Sequence, residues 1–351
     1  MTVLGLLPFF GGVSALVRGA RARRQQIAVD WAARGDRDLH AGRPDRAAEE
    51  YRSAQEYARD SNAYRLQLAE ALIASRHTDQ ARGQLLALWA ETPADGFINL
   101  ELGRIAAGQG DTTEAVRFYH AAIDGAWRQD ALASRRNARI ELAKYLIGKG
   151  DRTKAQAELI ALVDELPPDP VVMTDTAALL LESGTPQRAE AVLAKALTLS
   201  PRDARALQLA AEAAFSLADY HAAARYFDLA ASVGPLDAEH QRMRSLSTRV
   251  LTLDPFARGI SSRSRVRRVI EAFQIARQSL DRCPAEALPD LRARVAAAEP
   301  KTTERVLAQD PDAVDDTISL LTDIEAATIA CQPGGNDDAA LRLVLKQRRS
   351  S

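Results

Sequence analysis

"GTPQRAEAVLAKALTLSP", residues 184–201, opens with a helix-start signal, closes on a proline and sets Ala189 and Ala196 around Leu193. The same pattern, an alanine followed four residues later by a large apolar side chain and three after that by a small or aliphatic one, recurs at Ala47, Ala81, Ala115, Ala155, Ala189 and Ala223. The successive separations are 34, 34, 40, 34 and 34 residues. The large side chains are Tyr51, Leu85, Tyr119, Leu159, Leu193 and Phe227. Twelve residues before each alanine stands another small residue: Gly35, Ala69, Gly103, Ala143, Ala177 and Ala211. Four of the six units reach a proline at one offset, Pro93, Pro167, Pro201 and Pro235, whereas units one and three carry Arg59 and Trp127 there.

Two antiparallel helices approach closely only where small side chains meet at the crossing and larger ones fill the space on either side. The pairs of small residues supply the crossing, and the large residue one turn later supplies the filling. Between the two helices of a unit lie Gly42, Gly110-Asp111, Gly150-Asp151 and Gly184-Thr185-Pro186, where Thr185 is expected to cap the second helix and Pro186 to occupy its first turn. The composition points the same way: alanine, leucine and arginine dominate, aromatics make up 5%, and no stretch alternates as a strand would, so an all-α fold is predicted. A formal net charge of −1 with 26% charged residues excludes both disorder by composition and a global attraction to polyanions.

This pattern resembles the tetratricopeptide repeat (TPR) family, whose 34-residue unit reads W-x2-L-G-x2-Y, then A-x3-F, then P. Trp31 with Gly35, followed by Ala47 and Tyr51, gives the fullest match, and Leu102-Gly103 with Ala115 and Tyr119 gives another. The resemblance implies a right-handed α-solenoid of about six helix-turn-helix units over residues 28–235, starting near 28, 62, 96, 136, 170 and 204, with C-terminal capping helices. The six extra residues of the 40-residue interval fall within "GAWRQDALASRRNARIEL" and are expected to lengthen a helix or the loop between units three and four.

After Pro235 the register loosens. Leu236, Met243, Leu246, Val250 and Leu253 form one apolar stripe and Val266, Val269, Phe273, Ala276 and Leu280 another, so 236–282 reads as a degenerate capping helix pair. Residues 283–351 read as a helical cap or a small separate module, with one helix at 312–330, a loop at 332–338 and "KQRRSS" as a fraying, flexible tail.

The other informative stretch is the start, "MTVLGLLPFFGGVSALV", uncharged through Val17 and followed by Arg18, Arg21, Arg23 and Arg24. It predicts a single-pass membrane anchor over 1–17 with a basic juxtamembrane stretch over 18–27, which by the positive-inside rule would put the repeats in the cytoplasm. The alternatives are an apolar helix covering the first repeat and a signal sequence shortened by a late start codon; no basic region precedes the apolar run. Cys283 and Cys331, the only cysteines, each follow a predicted helix. Two unrelated free thiols is the favoured reading, and a disulfide joining two helix ends in an oxidising compartment is the other.

No catalytic constellation emerges. His40, His77, His120, His221 and His240 are scattered, no HExxH or GxSxG occurs, and "GKGD" at 148–151 lacks the Walker A spacing, so neither enzyme, cofactor nor metal is expected. In the resembled family the first helices line a concave groove through their positions 2, 5, 9 and 12. Carried over, the groove candidates are Leu66, Glu70, Leu100, Arg104, Ile140, Lys144 and Phe215, with Glu70 expected to pair with Arg104 across repeats. Leu100, Ile140 and Phe215 are expected to contact a peptide, while Arg104 and Lys144 fix the register of an acidic ligand. The carboxylate clamp of the chaperone-binding members is missing. The resulting expectation is a membrane-anchored, non-catalytic adaptor for a partner protein or peptide. The alternative is a soluble regulator contacting nucleic acid or anionic surfaces through arginine clusters such as "RSRVRR" at 263–268, although no stacking platform accompanies them.

Overall fold

The computed structural model describes residues 6–284, 286–331 and 334–350, with side chains from Val17 to Arg348. Apart from one isolated bridge between Asp95 and Ala126, the regular structure of the described residues is helical. The chain divides into two compact units, the first ending at Leu162 and the second beginning at Val163.

The first unit is built from helix pairs: α1 (Leu6–His40) with α2 (Pro44–Tyr57), α3 (Asn62–Ala74) with α4 (Thr78–Glu91), α5 (Gly96–Gln109) with α6 (Thr112–Asp124), and α7 (Ala131–Gly148) followed by α8 (Arg152–Val163). The second continues with α9 (Pro170–Glu182) and α10 (Pro186–Leu199), then α11 (Ala204–Ser216) and α12 (Tyr220–Val233). It closes with α13 (Ala238–Leu253), α14 (Ser262–Asp281), α15 (Pro289–Ala298), α16 (Glu304–Gln309), α17 (Pro311–Thr328) and α18 (Asn336–Ser350).

Every small residue of the repeat pattern is buried, and all ten alanines among them, from Ala47 to Ala223, have no exposed surface. Two units use glycine instead, and the partner across the crossing explains why. A Cβ on Gly35 would lie 2.7 Å from the Tyr51 ring, and one on Gly103 would lie 3.3 Å from the Tyr119 backbone nitrogen. Where the second helix brings tyrosine, the first gives up its methyl group; where it brings leucine or Phe227, alanine suffices.

The turns repeat as strictly as the crossings. Five residues before each repeat alanine the backbone enters the left-handed region, at Gly42, Gly110, Gly150 and Gly184 and also at Arg76 (φ 64) and Ala218 (φ 59). Packing thus imposes one turn geometry on all six pairs, including two whose residue type resists it. Aspartate caps many of the helix starts, among them Asp95, Asp111, Asp169, Asp203 and Asp219. Thr185 does not cap α10: its hydroxyl donates to the Leu180 carbonyl instead, while Pro186 is the first helical residue.

The extra residues between units three and four do two jobs. They start α7 early, at Ala131, and they form the loop 125–130. This loop is pinned to the start of α5 by Gly96 N–H donating to the Ala126 carbonyl (2.8 Å) and Ala126 N–H to that of Ala94 (2.7 Å).

The structure differs from three further expectations. First, no helix among the described residues is long and apolar enough to cross a membrane. Residues 1–5 of the expected anchor lie outside the described residues; from Leu6 the chain belongs to α1, which runs without a break through Arg18, Arg21, Arg23 and Arg24 into the first repeat. A span needs roughly 17–25 apolar residues, and α1 turns basic too soon. This contradicts the expected single-pass span, and with it the cytoplasmic orientation expected from the flanking arginines. Second, the expected flexible tail is helical as far as Ser350, and α18 buries Ala340, Leu341, Val344 and Leu345 in a core shared with α13, α14 and α17. Third, Cys283 and Cys331 are not free thiols: a disulfide joins them just past the ends of α14 and α17.

Candidate functional site

The first helices of the four helix pairs in the first compact unit carry Asp36 (α1), Gln67 and Glu70 (α3), Glu101 and Arg104 (α5), and Glu141 and Lys144 (α7). Asp36 accepts hydrogen bonds from the Tyr51 hydroxyl (2.7 Å) and from the Gln67 amide (3.2 Å). Arg104 does not pair with Glu70. Its guanidinium binds both oxygens of Glu141 (2.8 and 2.5 Å) and one of Glu101 (2.5 Å), so two carboxylates already occupy it. That leaves little capacity for the acidic ligand the sequence suggested.

Glu101 is buried, which pushes its carboxyl pKa up against the opposing pull of Arg104. Burial, and then the Glu101 charge, also raise the Glu70 pKa. Tyr119, buried and facing Glu141, is pushed up to about 12. This face carries more carboxylate than its cations neutralise.

The face also holds a defined cavity of about 310 Å³, lined by Leu66 and Glu70 from α3, by Asp95 and Phe97 at the start of α5, by Ala126, Trp127, Arg128 and Gln129 of the loop, and by Ser134. Trp127 forms a fixed wall because its indole N–H donates to the Ala122 carbonyl (2.9 Å). Its ring lies so close to Gly96 that a Cβ there would sit 2.4 Å from it. Arg135 donates to the Gly125 carbonyl (3.1 Å) and holds the loop from the other side. At the rim, Arg128 reaches Asp95 at 3.4 Å with 79% of its side chain exposed.

The other groove candidates divide. Leu100 is buried in the core with Leu142 and Leu146, so it packs between helices. Ile140 is half-buried and Lys144 exposed. Phe215 lies in the second unit, half-buried and edge-on to Tyr220 with ring centroids 5.5 Å apart. Trp127 and Phe97 were not among the sequence candidates; the signal for Trp127 was its place in the one lengthened interval, where a proline was expected.

The "RSRVRR" cluster does not act as one patch. Arg268 donates to the carbonyls of Leu251 and Asp254 at the end of α13, and Arg263 pairs with Glu304 at 3.3 Å, while Arg265 and Arg267 are exposed. Arg263 and Arg265 do border a cavity of about 870 Å³ in the second unit together with Phe256, Arg305, Asp315 and Arg348. Among the described residues no group of three or more His, Cys, Asp or Glu side chains is arranged to hold a metal ion.

No protein-family model matches the chain, and no curated protein matches it. Among solved structures it is similar to the C-terminal part of a TPR repeat-containing protein from Cytophaga hutchinsonii, at 14% identity over 84% of this chain and 95% of that one, with a TM-score of 0.48. It is also similar to Pseudomonas aeruginosa PilF, at 19% identity over 63% and 98% with a TM-score of 0.44. A third is the type IV pilus biogenesis factor PilW, at 17% identity over 62% and 97% with a TM-score of 0.43. In register and packing, the six helix pairs follow the 34-residue pattern by which the sequence resembles tetratricopeptide repeats.

Proposed function

We propose that this chain is a non-catalytic scaffold that holds an extended segment of a partner protein on the first-helix face of the first compact unit. The observation that supports the reading is the charge balance of that face: Asp36, Glu70, Glu101 and Glu141 stand against Arg104, which Glu101 and Glu141 already occupy, and the exposed Lys144. A partner segment therefore brings apolar anchors and positive charge, the reverse of the acidic ligand expected from the sequence. Electrostatic complementarity of this kind sets register and on-rate more than affinity, so binding should weaken as salt rises.

Selection from a random peptide library displayed on phage tests the reading. Enrichment of cationic, apolar peptides, whose binding falls with salt and falls again in Asp36→Asn/Glu141→Gln, is the expected result. Enrichment of acidic peptides, or no enrichment, would overturn it.

A further inference from the structure

The lengthened interval between repeats three and four supplies one wall of the cavity on this face, and the lining is chemically specific. We propose that the pocket bounded by Leu66, Glu70, Phe97 and Trp127 takes one arginine side chain of the bound segment. This rests on the scaffold reading above and names the residue by which that face recognises its partner.

A volume of about 310 Å³ is at the small end of ligand cavities, which run from roughly 300 to 1,000 Å³, and so suits one long side chain. Trp127, Phe97 and Leu66 are each half-buried, so their surfaces are partly covered yet open to the cavity. A guanidinium is planar and weakly hydrated; it stacks on an aromatic face while its N–H fork meets a carboxylate, whereas an ammonium offers only a point charge. Glu70 supplies that carboxylate. It is half-buried, it makes no ion pair or hydrogen bond among the described residues, and it lines the same cavity as the tryptophan. Asp95 is less free, since its Oδ1 caps α5 through the N–H groups of Phe97 and Ile98 and its Oδ2 faces Arg128.

The walls are set before any ligand arrives. The indole is fixed by the Ala122 carbonyl and by its contact with Gly96, and the loop by its two backbone bonds to the start of α5. Preorganisation of this kind spares the ordering cost of binding. Among the residues lining the cavity the one opposing charge is Arg128 at the rim, exposed and loosely held.

The test uses the whole chain and two small probes, Nα-acetyl-arginine amide and its neutral isostere Nα-acetyl-citrulline amide. The indole N–H signals of Trp31, Trp89 and Trp127 are followed by ¹H–¹⁵N NMR, with Trp127 assigned through Trp127→Phe. A saturable shift of the Trp127 signal with the arginine probe is expected, weaker by at least about fivefold with citrulline and by a similar factor in Glu70→Gln. Arg128→Gln should tighten the arginine probe. No saturable shift, an equal response to citrulline, or indifference to Glu70→Gln in a protein that melts like the wild type would overturn the pocket assignment. The two proposals fail separately: library peptides whose binding ignores Glu70→Gln sink the pocket alone, and arginine-probe binding without any peptide enrichment sinks the scaffold face alone.

Discussion

The helix pairs from α1 to α12 and the closing helices α13 to α18 are held by different means. In the pairs, contacts recur at one spacing: small residues at the crossing, a large one after them, a left-handed turn five residues earlier. The closing helices have no such period. There α18 is fastened by Arg282 and Ser279 binding Asp338, and by Arg249 bridging Glu271 and Asp337. The disulfide ties the chain just before α18 to the end of α14. Periodic packing builds each pair from neighbours in sequence, whereas closing an apolar end takes links between residues far apart in it.

The largest expected effect lies in that fastening. The disulfide closes a separation of 48 residues, for which the chain-entropy relation gives about 4 kcal/mol of stabilisation. Thermal unfolding with and without reductant should show a large loss of stability on reduction, matched by Cys331→Ser, which should itself be insensitive to reductant. Equal melting of all forms would mean that the ion pairs alone hold the end.

Next come the crossings. Gly35→Ala should cost ~1–3 kcal/mol by forcing a methyl group into the Tyr51 ring, and Ala189→Leu a similar amount. Adding Tyr51→Leu to Gly35→Ala recreates the alanine–leucine pairing of other units and should recover much of the loss, which a double-mutant cycle measures. Additive losses would break the rule that glycine follows tyrosine.

A smaller gain is expected where the shared turn overrides residue type. Ala218→Gly should stabilise the second unit by about 0.5–1 kcal/mol, because glycine holds φ near 59° without steric cost. Loss of stability there would show that the Ala218 side chain is needed.

The smallest effect is electrostatic. Burial alone would lower the His240 pKa, but hydrogen bonds to Glu212 and Asp237 (both 2.7 Å) outweigh it and raise it. The stabilisation is therefore fully present below the unfolded-state histidine pKa of about 6.5 and is lost as pH rises through the higher folded value. Against His240→Gln, the wild-type advantage should be about 1 kcal/mol or less and should shrink on the alkaline side. An advantage that grows with pH would mean that His240 acts through its neutral form.

How much of this was legible follows the same division. The small-residue pairs could be read because close helix crossing demands them at fixed spacing, so the all-α repeat emerged from sequence alone. The turns at Arg76 and Ala218 could not, since neither residue type signals a left-handed backbone. The α18 helix hid behind "QPGGNDD" and a basic end, with only Ala340, Leu341, Val344 and Leu345 to mark its apolar stripe. At the site, the repeat register led to Leu66 and Glu70, which line the pocket, and equally to Leu100, which turned into the core. Register assigns a residue to a helix face but does not say whether a neighbouring helix covers it. Trp127 reached the pocket through an interval that departs from the register, so only its unusual length pointed there. The apolar start does not make a span because the helix that it enters, α1, turns basic at Arg18 and runs on into the first repeat.

The scaffold reading is tested most directly by hydrogen–deuterium exchange of the full chain, with and without the tightest peptide from the library selection. Protection of α3, the start of α5 and the loop 125–130 is expected, with no change around the cavity bordered by Arg263, Arg265 and Arg305. Protection confined to that arginine-lined cavity, with α3 and the loop unaffected, would contradict it.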